Sequence, residues 1–369
     1  MGLRVDLVEP FFGGSHRAWA EGWAANSTHE VCLHTLPGSA WRWRMRGSAV
    51  TLGPRLVADA ARLGPPDLLV VSDMVDLGDL LARTRVTHGT VPVALYLHEN
   101  QLTYPRRPGE PLDAGLAWTT WRNLTLADEI WCNSAFHRDE LLAALPELLH
   151  DVPDHDHADL LPAVAGRMRV LAVGVDIPAP GLREEPPLIL SNQRWHHDKD
   201  VDAVVRALLW LADSGAEFRA AVIGDHHGGH AAEIDPLLDR LGDRVVARGF
   251  QERSTYESLV GQADIVVSAA RNEFFGVAVV EAVGAGAVPV LPAAVAYPEV
   301  IPADFHPVVL HQRGDLRAAL AATLAALDDR RLAVEGLAGS MTRFAWAVVA
   351  PAHDEAAATL AAFRPRAEH

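Results

Sequence analysis

The basic side chains of this 369-residue chain are almost all arginine, because Lys199 is its only lysine. An ammonium is a compact charge on a thin stem, whereas a guanidinium is a broad planar fork, so the two are not interchangeable in a tight anion site. Arg194 lies five residues before Lys199, and both follow a strand-like run at 188–191. This spacing predicts a pair of cations that binds an anionic ligand. The alternative is a surface lysine retained by chance.

A second candidate site follows a strand-like run that ends near Ala269. A helix is predicted from about Gly276 and Val277, and the free N–H groups and positive dipole at its start favour phosphate binding. Glu273 precedes this helix and Glu281 lies two turns along it, so their carboxylates are about 12 Å apart. That distance is too long for one acid/base pair. It suits hydroxyl groups on either side of a diphosphate, as in a sugar and a ribose, unless both are ordinary exposed acids.

These groups together predict a site for a nucleotide sugar. Two cations and a helix dipole can neutralise a diphosphate leaving group without a metal ion. The predicted donor-binding residues are Arg194, Lys199, Glu273, Phe274, Phe275, Gly276, Val277 and Glu281, with Arg248 and Gly249 assigned to the nucleobase.

Glycines and polar residues also follow strand-like runs in the first half of the chain. Gly13 and Gly14 let the backbone approach a ligand closely, although a plain tight turn explains them nearly as well. His98 follows the run at 93–97 and is predicted to face a ligand, whereas capping and turn formation account better for Asn100 and Gln101. The candidate ligand-binding residues of this half, which the family resemblance given below implies are acceptor-binding, are Gly13, Gly14, His16, Trp41, Arg42, Trp43, Arg44, Arg46, Asn100 and Gln101.

The segment 41–46 reads Trp-Arg-Trp-Arg-Met-Arg and contains no acid. Such side chains contact RNA phosphates and stack on unstacked bases. The same alternation also fits a strand with one buried aromatic face and one solvated face. A net charge of -16 argues against unspecific binding of nucleic acid, so a local basic patch indicates a selective partner.

Strand-like runs alternate with helix-like segments along the whole chain, which predicts an α/β fold with parallel sheets. A proline-rich passage at 178–187 interrupts the alternation and is the expected linker. We therefore expect two doubly wound, Rossmann-like domains facing a cleft, at 1–180 and 181–345, followed by a helix at 346–369. Ligands of such sheets bind at the carboxyl ends of the strands.

Composition restricts the class of protein further. Cys32 and Cys132 are too few for a disulfide framework, and the first residues read as a strand rather than a secretory signal. No apolar run reaches the length of a membrane span. We expect a cytoplasmic protein that is a monomer or weak dimer. A metal ion is not expected, because the His-rich segments at 154–157 and 226–227 lack partners at metal-ligand spacing.

The pattern Glu273-x7-Glu281, with Arg194 and Lys199, resembles the retaining GT-B glycosyltransferases. The resemblance implies that the basic pair holds the donor diphosphate, the first glutamate the donor sugar and the second the ribose. The first half of the chain resembles the tRNA-queuosine α-mannosyltransferase family. The segments that carry this second resemblance are 9–16, 35–44, 96–105, 133–137 and 153–155.

The second resemblance implies transfer of mannose from GDP-mannose to the cyclopentene-diol of queuosine in a tRNA anticodon of the tRNA-Asp type, with retention of configuration. No cofactor or metal is implied, and the partners are a nucleotide sugar and the queuosine-containing anticodon loop. Glu273, His98, Arg194 and Lys199 are the expected catalytic residues. Two alternatives remain open: a GT-B enzyme that uses another nucleotide sugar and a small-molecule or lipid acceptor, and a non-catalytic relative that binds sugar nucleotides or RNA.

Overall fold

Two parallel sheets organise the chain in the computed structural model, which describes residues 2–106, 109, 111–150, 152–225 and 231–362. One compact unit comprises 1–175 together with 346–369, and the other comprises 176–345. The division lies a few residues before the proline-rich passage. The alternation of strands and helices predicted from the sequence is confirmed.

The first unit contains a parallel sheet in the order β2-β1-β3-β4-β5-β6. Its strands are β1 (Arg4–Phe12), β2 (Glu30–Pro37), β3 (Leu68–Ser72), β4 (Val93–Leu97), β5 (Glu129–Cys132) and β6 (Met168–Val170). Its helices are α1 (Gly14–Asn26), α2 (Trp41–Leu63), α3 (Leu77–His88), α4 (Ala114–Leu126), α5 (Ala135–His150) and α6 (Leu161–Gly166), and a 3-10 turn covers Ala158–Leu160. Every residue of β3 and β4 is buried, as expected for central strands covered on both faces.

The second unit contains a parallel sheet in the order β12-β11-β10-β7-β8-β9. Its strands are β7 (Leu188–Ser191), β8 (Arg219–Ile223), β9 (Val245–Gly249), β10 (Ile265–Val267), β11 (Val288–Pro292) and β12 (Leu310–His311). Its helices are α7 (Val201–Asp213), α8 (Ala231–Asp239), α9 (Arg253–Gln262), α10 (Val277–Gly284), α11 (Tyr297–Val300), α12 (His306–Val309), α13 (Leu316–Ala325), α14 (Leu327–Ala333) and α15 (Leu337–Ser340). Its 3-10 turns are Gly242–Arg244, Ala303–Phe305 and Met341–Phe344.

The last helix, α16 (Trp346–Ala362), belongs to the first unit. The carboxylate of Asp354 accepts hydrogen bonds from Trp23 Nε1 at 2.9 Å, from Ser27 Oγ at 2.6 Å and from the Thr28 amide at 2.7 Å. The indole of Trp19 donates to His353 Nε2 at 3.3 Å. These buried polar contacts fix α16 against α1 and the segment that follows it.

The strand interpretation of 41–46 is wrong, because these residues form the first turns of α2. Met45, Ala49, Leu52 and Leu56 are buried at the helical spacing that places them on one face. This longer apolar pattern outweighs the short alternation of tryptophan and arginine.

Candidate functional site

The structure brings Lys199 and Glu273 into direct contact at the carboxyl edge of the second sheet. Lys199 follows β7 and Glu273 follows β10, and these two strands are neighbours. The Lys199 ammonium donates to the carbonyl oxygen of Asn272 at 2.7 Å and to Oε2 of Glu273 at 3.0 Å. Lys199 is only 8% exposed, so this lysine is not a surface residue retained by chance.

Asp198 completes the surroundings of this ammonium. Its Oδ2 lies 3.4 Å from Lys199 Nζ, and its backbone carbonyl accepts the amides of Arg271 at 2.7 Å and Asn272 at 3.2 Å. Burial opposes its ionisation, but the hydrogen bond from His196 and the Lys199 charge hold the pKa of Asp198 well below its ordinary value. Sequence reasoning missed this residue, although an acid beside the only lysine was the available signal.

Helix α10 begins at Val277, four residues after Glu273. Its N-cap, Gly276, has a φ of 101°, a conformation that strongly favours glycine. A Cβ at this position would lie 3.2 Å from the ring of Tyr297. The amide of Ala296 also donates to the Glu273 carbonyl at 3.0 Å, so the chain around 296–297 supports the loop that leads into α10.

Phe274 and Phe275 anchor this loop in the core of the unit rather than presenting their rings to solvent. They are 5% and 4% exposed, and Phe275 packs edge-on against Phe344 with ring centroids 5.1 Å apart. The two rings therefore support the loop, and Val277 begins the first turn of α10 after it.

Glu281 lies on α10 within a network of hydrogen bonds. The Tyr256 hydroxyl donates to Oε2 of Glu281, and Arg253 Nη1 donates to Oε1 at 3.2 Å. Asn192 Nδ2 in turn lies 3.0 Å from the Tyr256 hydroxyl oxygen and donates to the Ala278 carbonyl at 2.9 Å. Burial raises the pKa of Glu281, although Tyr256 and Arg253 oppose the rise. Glu281 is therefore not an ordinary exposed acid. Sequence reasoning identified none of its partners.

The two arginines assigned to the donor differ in their surroundings. Arg194 is exposed and directly follows β7, on the same loop as Lys199. Arg248 Nη1 lies 2.7 Å from Asp239 and 3.9 Å from Asp235 of α8. These ion pairs hold Arg248 beside α8 on edge strand β9, two strands away from β7. Gly249 ends the same strand and is buried, with a φ of 69°.

A cluster of buried ionisable groups lies at the carboxyl edge of the first sheet. His16 Nδ1 lies 3.0 Å from Glu9 Oε2, and His98 Nε2 lies 3.4 Å from the same oxygen. Burial opposes protonation of His16, but the charge and hydrogen bond of Glu9, with the charges of Asp73 and Glu99, raise the pKa of this ring. The imidazoles in turn lower the pKa of Glu9 to about 2 against the effect of burial. Burial and the His16 charge lower the pKa of His98 to about 4. The two neighbouring imidazoles therefore differ in proton affinity, and His98 is neutral near pH 7.

Asp73 follows β3, the strand between those of Glu9 and His98. Its Oδ1 accepts the His98 amide at 3.1 Å, and burial raises the pKa of Asp73 to about 8. Asn133, at the end of β5, donates to the His98 carbonyl at 3.0 Å and lies 2.9 Å from Nδ1 of His137. Neither Glu9 nor Asp73 was predicted. The sequence signal for each was an acid near the carboxyl end of an apolar strand.

Glu9, His16 and His98 also bring three potential metal ligands within 4.8 Å of one another. The imidazole rings of His16 and His98 lie with centroids 3.9 Å apart. Two imidazoles bound to one tetrahedral zinc ion at about 2.1 Å would have centroids about 5 Å apart, so these rings would have to separate by more than an ångström. The arrangement fits a carboxylate-imidazole pair better than a metal site.

Other histidine-containing segments have different surroundings. His196, His197 and Asp198 form a second group of close potential ligands, but Asp198 is already paired with Lys199. In the segment 154–157, Trp121 Nε1 donates to His157 Nδ1 at 3.3 Å. His226 and His227 lie outside the described residues.

Two of the predicted acceptor-binding pairs have structural roles in loops. Asn100 Oδ1 accepts the amides of Leu102 and Thr103, at 3.1 and 2.9 Å, and so forms a turn. Gln101 donates to Glu99 at 3.1 Å. Gly13 and Gly14 connect β1 to α1. A Cβ at Gly13 would lie 3.2 Å from the Cα of Gly38, so the loops after β1 and β2 pack closely there.

The basic patch, residues Trp41–Arg46, forms the start of α2. Trp43 is 64% exposed, and the Arg42 guanidinium lies 4.6 Å from the centre of the Trp41 ring. Arg46 pairs with Asp113 at 2.6 Å, and Arg44 donates to the Pro37 carbonyl at 3.2 Å. The patch therefore presents an exposed indole with arginines around it.

Comparison with known families divides the chain in the same way as the fold does. Residues 4–175 match the family described as tRNA-queuosine alpha-mannosyltransferase N-terminal, and residues 175–335 match glycosyl transferases group 1. The chain is 28% identical over 312 residues to the tRNA-queuosine alpha-mannosyltransferase of Drosophila melanogaster, which covers 81% of each chain.

Solved structures show the same fold at low sequence identity. Sucrose-phosphate synthase from Thermosynechococcus elongatus superposes with a TM-score of 0.76 at 16% identity, covering 98% of this chain and 99% of that one. The catalytic domain of starch synthase IV from Arabidopsis thaliana superposes with a TM-score of 0.72 at 11% identity, covering 98% and 100%. These likenesses confirm the expected GT-B fold.

Within the described residues, no helix combines the length and the apolar character that a membrane crossing requires. The two family matches together span residues 4–335, and the relative from Drosophila covers the same two domains. The chain is a glycosyltransferase, and its first domain, residues 4–175, belongs to the family of tRNA-queuosine alpha-mannosyltransferase N-terminal domains.

Proposed function

We propose that this glycosyltransferase moves mannose from GDP-mannose to queuosine in the anticodon of tRNA-Asp, with retention of configuration. The observation that carries the proposal is the buried contact of Lys199 with Glu273 beside the start of α10, in a chain whose first domain matches the queuosine-modifying family. A single ammonium in that position suits a diphosphate, and the neighbouring carboxylate suits the hydroxyl groups of a hexose.

On the donor side, Lys199, Arg194 and the amides at the start of α10 neutralise the departing diphosphate. The acceptor hydroxyl oxygen bonds to the anomeric carbon on the face from which the phosphate oxygen leaves. Its proton passes to that phosphate oxygen, so no protein nucleophile is needed. Glu281 accepts hydrogen bonds from the ribose hydroxyls. Orientation of both reactants supplies much of the rate acceleration.

In the first domain, we assign His98 to a hydrogen bond with a hydroxyl group of a substrate. Its lowered pKa keeps the imidazole neutral at pH 7, so it can donate from one ring nitrogen and accept at the other. Asp73 and Asn133 fix its backbone through the contacts at 3.1 and 3.0 Å. No metal ion takes part in this proposal.

The basic patch is the proposed contact for the anticodon loop. Unstacked RNA bases bind to exposed aromatic rings, and arginines bind the adjacent phosphates. Trp43 offers such a ring, with Arg42 and Arg46 on the same exposed turns of α2. A local patch on a chain of net charge -16 favours one RNA site over unspecific binding.

Mass spectrometry of nucleosides from tRNA tests this proposal. Queuosine-containing tRNA is incubated with the protein and, in separate reactions, GDP-mannose, GDP-fucose, UDP-glucose and UDP-galactose. The proposal predicts a hexose added to queuosine from GDP-mannose alone. Addition from a UDP-sugar would reject the donor, and transfer to tRNA without queuosine would reject the acceptor.

A further inference from the structure

The Lys199 ammonium lies close to three oxygens of the protein itself and donates hydrogen bonds to two of them, those of Asn272 and Glu273. The three oxygens are the Asn272 carbonyl at 2.7 Å, Glu273 Oε2 at 3.0 Å and Asp198 Oδ2 at 3.4 Å. An ammonium has three donors and no more. Asn272 and Glu273 accept from two of the three, so a diphosphate that binds through more than one N–H group of Lys199 must displace one of these two acceptors.

Two of the three oxygens are held firmly. The Asn272 carbonyl belongs to a backbone whose amide bonds to the Asp198 carbonyl, and Asp198 is fully buried and hydrogen-bonded to His196. Glu273 differs, because its side chain is 17% exposed and can rotate while the Ala296 amide holds its backbone. Glu273 is the partner that gives way.

When a diphosphate displaces Glu273 from Lys199, the stability of the bound state depends on whether a hexose is still attached to the diphosphate. A carboxylate beside a diphosphate experiences like-charge repulsion, which a sugar hydroxyl donating to that carboxylate offsets. When the hexose has been transferred, this donor is lost. The Glu273 carboxylate then competes again for the Lys199 ammonium and weakens its hold on the remaining nucleoside diphosphate.

We propose that Glu273 competes with the diphosphate for Lys199, so that the site favours a nucleotide sugar over the nucleoside diphosphate product. The inference rests on the donor site of the proposed function. It adds a role in product release to the role of Glu273 in binding the hexose.

Calorimetric titration of the whole protein with GDP and with GDP-mannose tests the inference, with UDP in parallel in case the base differs. Glu273→Gln removes the charge and keeps the shape, and should bind GDP about threefold to tenfold more tightly, since an ion pair that competed with the ligand is gone. Its preference for GDP-mannose over GDP should become smaller.

The control is Asp304→Asn, which removes an exposed acid of the same unit and should leave both affinities unchanged. If Glu273→Gln does not fold, Glu273→Asp, which withdraws the carboxylate by one methylene, carries the same expectation.

A double-mutant cycle separates this ion pair from general repulsion. In a Lys199→Ala background, Glu273→Gln should give no gain in GDP affinity, and a gain of the same size there would overturn the inference. Unchanged GDP affinity in Glu273→Gln would also overturn it, even if Lys199→Ala weakens binding and so supports the donor site. If Lys199→Ala leaves nucleotide affinity unchanged, the donor site and the inference both fail.

Discussion

The imidazole rings of His16 and His98 lie 3.9 Å apart, and their pKa values shift in opposite directions. Burial lowers the pKa of both rings, but Glu9 lies closer to His16, at 3.0 Å, than to His98, at 3.4 Å, and the charge of His16 lowers the pKa of His98 further. His16 therefore holds a proton more readily than His98, which is neutral near pH 7.

The first prediction concerns this pair. NMR titration of the ring nitrogens should show His16 titrating above its ordinary value and His98 near pH 4. In Glu9→Gln, the pKa of His16 should fall, because the strongest of the groups that oppose the effect of burial has lost its charge. The exposed-acid variant Glu21→Gln should leave both rings unchanged. Equal pKa values for the two rings in the unmodified protein would contradict the assignment.

The same pair gives a stability prediction with a definite sign. A histidine whose pKa is higher in the folded state stabilises the fold below its unfolded value of about 6.5, and this contribution is lost as pH rises through the folded-state pKa. The difference in unfolding free energy between the unmodified protein and Glu9→Gln should therefore be larger at pH 6 than at pH 9. Urea unfolding at the two pH values measures this difference. A larger difference at pH 9 would show that Glu9 does not raise the pKa of His16.

Lys199→Arg should lower affinity for the nucleotide sugar nearly as much as Lys199→Ala. The ammonium is enclosed by oxygens at 2.7 to 3.4 Å, and the wider guanidinium does not fit that enclosure. We expect losses of tenfold or more for both variants, which corresponds to about 1.4 kcal/mol. The control is Arg194→Lys, an exposed position that should tolerate the exchange better. If Lys199→Arg bound the nucleotide sugar with unchanged affinity, the shape of the cation would not matter at this site.

Gly276→Ala should destabilise the second unit, because an L-residue at a φ of 101° is strained and its Cβ would press on Tyr297 at 3.2 Å. The expected cost is about 1–2 kcal/mol in the free energy of unfolding. Gly339→Ala is the matched control, since α15 has open space at that position and alanine favours a helix. Chemical denaturation gives the free energy of unfolding of both variants. Equal values would show that alanine at position 276 is not strained.

Trp43→Ala should weaken binding of queuosine-containing tRNA by about 1–3 kcal/mol, the contribution of one base stacked on an aromatic ring. The fold should be unaffected, because the indole is 64% exposed. Trp210→Ala, which removes a 42% exposed indole from α7, is the control and should not change tRNA affinity. Fluorescence anisotropy with labelled tRNA measures the difference. Equal effects of the two variants would exclude the basic patch as the RNA contact.

Sequence periodicity predicted the buried central strands for a physical reason, but it did not predict β2 or β12. Parallel strands that are covered on both faces are continuous apolar runs, as β3 and β4 are. It also predicted that Lys199 and Glu273 lie at the same edge, because loops after parallel strands share one side of a sheet. It could not give the strand order, and the proximity of Glu9, Asp73 and His98 depends on that order.

The helical conformation of residues 41–46 and the side-chain direction of Arg248 could not be predicted from the local sequence pattern. The six residues 41–46 alternate with period two, and only the apolar residues further along show that they begin a helix. Arg248 lies on β9, but its ion pair with Asp239 of α8 sets the direction of its side chain. A side chain on an edge strand turns toward whichever charge lies nearest, which the neighbouring element determines.

The central claim is that Lys199 supports transfer of mannose from GDP-mannose to queuosine in tRNA. The most direct measurement is mass spectrometry of the nucleosides of tRNA-Asp, with and without queuosine, after incubation with GDP-[13C6]mannose and either the unmodified protein or Lys199→Ala. The account predicts a labelled hexose on queuosine only when the unmodified protein meets queuosine-containing tRNA. Labelled product from Lys199→Ala at the unmodified rate, or no labelled product from the unmodified protein, would contradict it.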